Sequence, residues 1–249
     1  MKLFKKKTRD ENACRILVNN DGVLEHGEGY TRLKDNILYM NADGKTKVIQ
    51  VESALSAEGK TTVVANLAVC LGATEKKVVL VDLDFRRPRV HRLFGESKDK
   101  GIAEYILGDL DKKEIIKSTQ FKNVDIITRG AEVYNSSLVL VSDKFKALIK
   151  QLKKEYDYVL LDCAPVLQVS DYIHISKVSD GVLFLVAYAS TTKSQVADAI
   201  KELKKNDANI LGTVFTMYDR KRDKYVDANG SYYGYDSFYG EKPVKVTKN

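Results

Sequence analysis

Gly59, Lys60 and Thr61 stand where an apolar run that begins after Lys47 gives way, through small residues, to a second apolar stretch ending near Ala73. A strand, a tight loop ending in Gly-Lys-Thr and an apolar helix make a phosphate cradle. Backbone N–H groups of the loop and first helical turn face the ligand, the helix dipole favours anions, Lys60 adds charge and the Thr61 hydroxyl can hold Mg²⁺. The cradle residues are Ser56, Ala57, Glu58, Gly59, Lys60, Thr61 and Thr62. The spacing fits G-x-x-x-x-G-K-[ST], except that Ala54 takes the place of the first glycine. A surface Gly-Lys at a helix start is the bland alternative, and the apolar segments on both sides argue against it.

Three carboxylates belong to the same chemistry. Val78 to Val81 is a β-prone run that delivers Asp82 and Asp84, and Val159-Leu160-Leu161 delivers Asp162. Phosphoryl transfer needs neutralised phosphates, an oriented nucleophile and usually Mg²⁺. Asp162 has the setting of a metal-holding carboxylate; of Asp82 and Asp84, one can serve the metal while the other accepts a proton. If strand geometry persists, these two point to the same face. A lone aspartate at a strand end reads as a cap or turn residue; three flanking a phosphate loop read as a nucleotide site. Arg86, Arg87, Arg89 and Arg92 follow at once, either to bind phosphate or acidic substrate or as a solvated basic face.

Tyr225, Tyr232, Tyr233, Tyr235 and Tyr239 are spaced by Gly, Ser and Asp in a stretch too polar for a core. Phenols beside basic residues can stack on nucleic-acid bases. Near an ATP site they read instead as phosphate acceptors, each gaining about −1.5 to −2 charges when modified.

The elements that would position these groups alternate along the chain. A helix is expected over Gly29 to Met40, with Tyr30, Leu33, Ile37, Leu38 and Met40 on its stripe, packed outside the sheet, against another subunit or as a plain cover of the core. The helix after the loop ends near Leu71-Gly72. A short helix in GIAEYILGDL, another beginning at DKKEII and a strand in NVDIIT follow Asp84. Then come a helix from Ser142 to Lys154, the strand ending in Asp162, a helix around Ser170 to Val178, the strand GVLFLVAY, a helix from Thr192 to Asn206 and the strand NILGTVFTMY. This predicts an α/β fold, a doubly wound, mostly parallel sheet with helices on both faces and ligands beyond the carboxyl ends of the strands. The chain divides into an N-terminal segment, 1–45, a P-loop domain, 46–218, and a flexible tyrosine-rich tail, 219–249.

Composition narrows the setting. A chain of 249 residues can bury about 70–75% of its unfolded surface without staples. Cys14, Cys70 and Cys163 are far apart, as are His26, His91 and His174, so structural zinc has no support and a reducing compartment is expected. No run of about 18 apolar residues occurs, and MKLFKKK is followed by TRDENAC rather than an apolar stretch, so the expectation is a cytoplasmic protein. The net charge of +7, with Lys2, Lys5, Lys6 and Lys7 at the start, is compatible with anionic lipid, nucleic acid or a merely solvated terminus.

Together VVLVDLDFR, GIAEYILGD, YDYVLLDCAPV, VSD at Asp171, SDGVLFLV and the terminal tyrosines resemble, in order, the bacterial tyrosine kinases of capsule and exopolysaccharide synthesis, in their separate cytoplasmic-chain form. The resemblance covers roughly Glu28 to Tyr239. It implies a P-loop NTPase fold and an ATP- and Mg²⁺-dependent protein-tyrosine kinase. Lys60 would bind phosphates, Asp82 would be the base, Thr61, Asp84 and Asp162 would serve the metal, and the tail tyrosines would be phosphorylated by a neighbouring subunit. It also implies a ring-like homo-oligomer such as an octamer, a transmembrane activator of the polysaccharide co-polymerase type that recruits the chain to the inner face of the membrane, protein-tyrosine substrates and a cognate phosphatase, with no nucleic acid. The ring contact would involve Glu28, Arg32 and Lys34; Thr31 and Lys34 stand where the family's E-x-x-R-x-x-R helix has arginines. Ala187 and Thr216 also depart, the latter where Asn often meets the adenine. Septum-placement and partition ATPases share the fold but carry a signature lysine where this chain has Leu55, and a non-catalytic nucleotide-binding partner remains a further alternative.

Overall fold

The computed structural model describes residue 16 and residues 28–108, 110–188 and 190–218, together with the backbone of Tyr225–Val226 and Tyr232–Tyr233. Lys2 to Lys7, Cys14, His26, Tyr235 and Tyr239 lie outside the described residues, as do the side chains of Tyr225, Tyr232 and Tyr233.

In chain order the elements are α1 (Glu28–Met40), β1 (Val48–Ser53), α2 (Lys60–Gly72), β2 (Val78–Asp82), α3 (Val90–Phe94), α4 (Ile102–Leu107), α5 (Lys112–Ile115), β3 (Ile116–Ser118), β4 (Val124–Ile127) and α6 (Ser136–Val141). There follow α7 (Asp143–Glu155), β5 (Tyr158–Asp162), α8 (Asp171–Ser176), β6 (Gly181–Ala187), α9 (Lys193–Lys205), β7 (Ile210–Thr216), β8 (Tyr225–Val226) and β9 (Tyr232–Tyr233). The main sheet runs β3-β4-β2-β5-β1-β6-β7. It is parallel except for the edge pair β3–β4.

Alternation along buried strands feeds two faces. Ile49, Val51, Leu80 and Leu160 pack with α1 and α2, whereas Val79, Val81, Val159 and Leu161 pack with α7, and Phe184 and Val186 with α9. The strands therefore read as continuous apolar runs, as expected of a sheet covered on both sides. Helix α7 starts where Ser142 accepts from the Phe145 N–H at 3.1 Å, and its stripe of Phe145, Leu148, Ile149 and Leu152 is wholly buried. Helix α2 has no polar face: Val63, Val69 and Cys70 on its outer side are buried too, because α1 lays Leu33 and Ile37 over it. Of the placements open for α1, this is the cover of the chain's own core, and each of those two side chains contributes about 1.5–3 kcal/mol by burial.

Three features differ from the sequence reading. The helix expected at DKKEII lasts one turn, closed by Glu114 accepting from the Asp111 N–H, and β-branched Ile116 then opens the antiparallel edge strand β3. Helix α6, capped by Asn135, is six residues long, too short for its periodicity to show. The strand carrying Asp82 ends at that residue, so strand geometry does not persist to Asp84 and the two carboxylates part. In the terminal segment, Tyr225 pairs with Tyr233 and Val226 with Tyr232 in an antiparallel ladder.

Candidate nucleotide and phosphoryl-transfer site

Strand order brings the chemistry together. Strand β5 lies between β1 and β2, which sets Asp162 beside Val51 on one side and beside Asp82 on the other, at the carboxyl ends of all three strands. The loop from β1 to α2 curls over that end. Gly59 caps α2 with φ 88°, a left-handed conformation that glycine adopts without cost, and the Val63 N–H closes the first turn on its carbonyl at 2.9 Å. Ala57 is also left-handed, at φ 63°. Ala54 is not among the positive-φ residues and is fully buried with Phe184 and Val186, so its position in this loop requires no glycine.

Polar side chains staple the loop. Glu58, which would oppose a phosphate if it faced the ligand, turns inward: its carboxylate accepts from the Leu55 N–H at 2.7 Å and from the Thr191 hydroxyl. The Thr216 hydroxyl donates to the Glu58 carbonyl at 2.8 Å. Lys60 is 7% exposed, and its ammonium donates to the Ser53 hydroxyl at 2.8 Å, lying back along the loop it would leave to meet phosphate oxygens.

The carboxylates divide by environment. Asp82 is wholly buried, its oxygens accepting from the N–H groups of Asp84 at 3.2 Å and of Arg89 and Val90 at 3.1 Å each. Burial, and then the neighbouring Asp162, raise its pKa well above the usual carboxylate range despite those donors. Burial pushes the Asp162 carboxyl up to about 7 against the opposing influence of the Thr61 hydroxyl and Lys60. Neither oxygen of Asp162 completes a hydrogen bond within the described residues. Asp84 accepts from the Arg86 and Arg87 N–H groups at 3.1 and 2.8 Å and lines the open cavity.

That cavity, about 520 Å³, is walled by Ser56 to Val63, Asp84, Arg87, Arg89, Pro165, Thr216, Met217 and Tyr30. It gathers the whole cradle and Asp84; Asp82 and Asp162 are buried and do not line it, nor do Glu28 and Arg32, an exposed pair 3.4 Å apart. Lys34 pairs with Asp35 at 2.9 Å. Of the four arginines, Arg87 and Arg89 reach the cavity.

A hard divalent cation fits the donors at one place. Two orphaned buried oxygens of Asp162 beside the Thr61 hydroxyl form an all-oxygen set. No group of three His, Cys, Asp or Glu side chains converges as a metal site among the described residues. A cation here would therefore draw the rest of its shell from water and phosphate, the habit of Mg²⁺.

Two residues that the sequence reading did not assign also bear on the site, Tyr30 by lining the cavity and Glu52 through its charge interaction with Lys60 and Asp162. Tyr30 looked like one more apolar residue on the α1 stripe. Glu52 is fully buried in β1, accepting from Gln50 Nε2 at 2.7 Å, and burial pushes it up to about 8. An acid inside an apolar strand was the available signal.

Residues 46–212 match the AAA domain family. Tyrosine-protein kinase YwqD of Bacillus subtilis is 31% identical over 217 residues, 87% of this chain and 87% of that one. The chain belongs to the bacterial tyrosine-protein kinases. The kinase is likewise similar in structure to the kinase domain of the Escherichia coli tyrosine kinase ETK, with TM-score 0.73 and 26% identity over 77% of this chain and 78% of that one. It shares its P-loop sheet with the septum site-determining protein MinD of Pyrococcus horikoshii in complex with Mg-ADP, with TM-score 0.61 and 29% identity over 71% of this chain and 72% of that one. Where septum-placement proteins carry their signature lysine, this kinase has Leu55 packed against the α9-side core. No helix among its described residues is long and apolar enough to cross a membrane.

Proposed function

We propose that this kinase uses ATP and Mg²⁺ to phosphorylate the tyrosines of residues 219–249 on a neighbouring copy, in the service of capsule or exopolysaccharide synthesis and export. One observation carries the reading: the end of β7 both walls the cavity, through Thr216 and Met217, and leads within a few residues into the tyrosine-rich segment. The acceptor tyrosines of each copy are thus joined in sequence to the strand that walls the site, and transfer to a neighbouring copy is the part that the experiment below decides.

In this reading the N–H groups of 57–62 and the Lys60 ammonium hold the phosphates, with Lys60 exchanging Ser53 for a phosphate oxygen. Mg²⁺, when bound by Thr61, Asp162 and Asp84, would neutralise charge on the transferred group. Asp82, wholly buried beside Asp162 at the strand ends, would accept the tyrosine proton. Arg87 and Arg89 add positive charge at the mouth. The exposed Glu28–Arg32 pair, with Lys34, would face a neighbouring subunit in a ring, and a transmembrane activator would bring the assembly to the membrane.

The test mixes two chains: full-length Lys60→Met as acceptor and a chain truncated after Tyr218 as enzyme, with labelled ATP, Mg²⁺ and the activator's cytoplasmic segment. Label on the tail of the Lys60→Met chain is expected, with none when that variant is incubated alone. An unlabelled tail in the mixture overturns transfer between copies, and undiminished labelling of Lys60→Met alone overturns the site.

A further inference from the structure

A second cavity opens at the other pole of the sheet, where β1 and β5 begin rather than end. It measures about 600 Å³ and is lined by Gly44, Lys45, Lys47, Lys150, Lys153 and Lys154. Two stretches far apart in sequence supply its walls: the connection from α1 into β1 and the last turns of α7. Asp180, which does not line the cavity, ties those walls together. One of its oxygens accepts from the N–H groups of Lys47 and Val48 at 2.9 and 2.8 Å, and the other takes the Lys153 ammonium. The Lys47 ammonium donates to the Tyr156 carbonyl at 3.4 Å, and Lys45 pairs with Asp43 at 2.9 Å. Lys150 and Lys154 are exposed and have no acidic partner among the described residues. The nearest acids in sequence are committed elsewhere, Glu155 to Lys112 and Asp157 to the Lys77 N–H.

Ordinary helix chemistry accounts for part of this charge, since Lys153 and Lys154 complement the negative end of the α7 dipole. Lys150 stands three and four residues before them, a spacing at which like charges repel, and the α1–β1 connection brings Lys45 and Lys47 to the same space. Five ammonium groups against the carboxylates of Asp43 and Asp180 leave three positive charges uncompensated around one concavity. We propose that this cavity binds a small soluble anion carrying several phosphates. Its volume falls within the range of about 300–1,000 Å³ usual for small-ligand sites. Among the lining residues there is no arginine, whose fork suits planar bidentate recognition, and no aromatic ring on which a nucleobase could stack. Lysines act on phosphate as point charges, so the phosphate chain alone is recognised. A concave wall also receives a discrete anion better than it meets a flat lipid surface.

In the test, the full chain is saturated with Mg-ADP to fill the cradle and titrated calorimetrically with inorganic tripolyphosphate. A binding event that survives Mg-ADP is expected, and it should weaken as salt is raised. Lys150→Gln/Lys154→Gln should weaken it by about tenfold or more, through lost contacts to two ammonium groups, and leave Mg-ADP affinity unchanged. Lys201→Gln/Lys204→Gln removes the same charge from exposed positions on α9 and should bind tripolyphosphate as the parent does. The proposal is overturned if no event survives Mg-ADP, or if the α9 variant loses as much affinity as the α7 variant, which would mark diffuse surface charge. It is equally overturned if phosphatidylglycerol vesicles are bound through Lys150 and Lys154 while tripolyphosphate is not, which would make this pole a membrane-facing surface.

Discussion

The loop of residues 53–60 and the segment of residues 82–90 both leave the carboxyl end of a buried parallel strand and both enter a helix, yet they are held in opposite ways. The first is anchored from outside at Glu58, whose carboxylate is bound by Thr191 and whose carbonyl is bound by Thr216, while Leu55 binds the same carboxylate and Lys60 rests on Ser53 within the loop. Of the loop's N–H groups, that of Leu55 is spent on Glu58, and those of residues 57–60 are left for a ligand. The second is held from within, because Asp82 and Asp84 spend their oxygens on the N–H groups of Asp84, Arg86, Arg87, Arg89 and Val90, and Arg129 fixes the Phe85 carbonyl at 3.0 Å. Carboxylates that would do chemistry here also carry the backbone, whereas the cradle separates the two tasks.

That contrast makes its largest prediction at the aspartates. Asp84→Asn keeps an oxygen for the Arg86 and Arg87 N–H groups and removes a charge from the cavity wall, so it should cut tail phosphorylation about a hundredfold or more with a melting temperature near the parent's. Asp82→Asn puts an amide N–H₂ where one of two accepting oxygens was, and leaves at least one buried donor unpaired. It should lower both activity, by about 10²–10⁴-fold, and stability, by roughly 1–3 kcal/mol in urea unfolding. An Asp82→Asn variant as stable as Asp84→Asn would break the distinction between the two segments.

Most of the sheet was legible because every central strand is an uninterrupted apolar run and most long helices announce themselves by period and cap, as Ser142 and the Phe145 to Leu152 stripe do. The phosphate cradle was legible because backbone amides need only spacing and a glycine. What escaped depends on tertiary approach. Tyr30 reaches the cavity only because α1 lies along α2, and its place on an amphipathic stripe looks the same whether it meets core or ligand. The same-face reading of Asp82 and Asp84 assumed a strand that in fact ends between them. Glu52 offered one signal, an acid inside an apolar strand, but spacing alone did not say that both faces of that strand are buried.

Glu52 carries a smaller effect, one that reads the loop's strand rather than the loop. Its pKa rises from 4.5 in the unfolded chain to about 8 in the fold. Between these values the folded chain keeps a proton that the unfolded chain has released, so the unfolded state binds fewer protons and stability falls as pH rises across the window. Glu52→Gln preserves the acceptor for Gln50 Nε2 and removes the titration. Relative to the parent, the variant should gain roughly 2–4 kcal/mol on going from pH 5 to pH 8, measured as the difference in urea unfolding free energies. Equal pH dependence of variant and parent would show that Glu52 ionises freely within the fold.

The smallest effect lies within the cradle, where two alanines three residues apart should respond oppositely to the same change. Ala57 is exposed and held at φ 63°, so its methyl group buries nothing while its backbone carries a left-handed penalty of about 1–2 kcal/mol that glycine does not have. Ala54 has no such conformation, and its methyl is fully buried beside Phe184 and Val186. Ala57→Gly should raise the melting temperature by about 2–4 °C, and Ala54→Gly should lower it by a similar amount through lost packing and greater freedom of the unfolded chain. The motif places its first glycine at the alanine that does not need it. Were Ala54→Gly the stabilising change instead, the strained position would be the start of the loop, and the outward stapling by Glu58 and Thr216 would not be what sets the loop's shape.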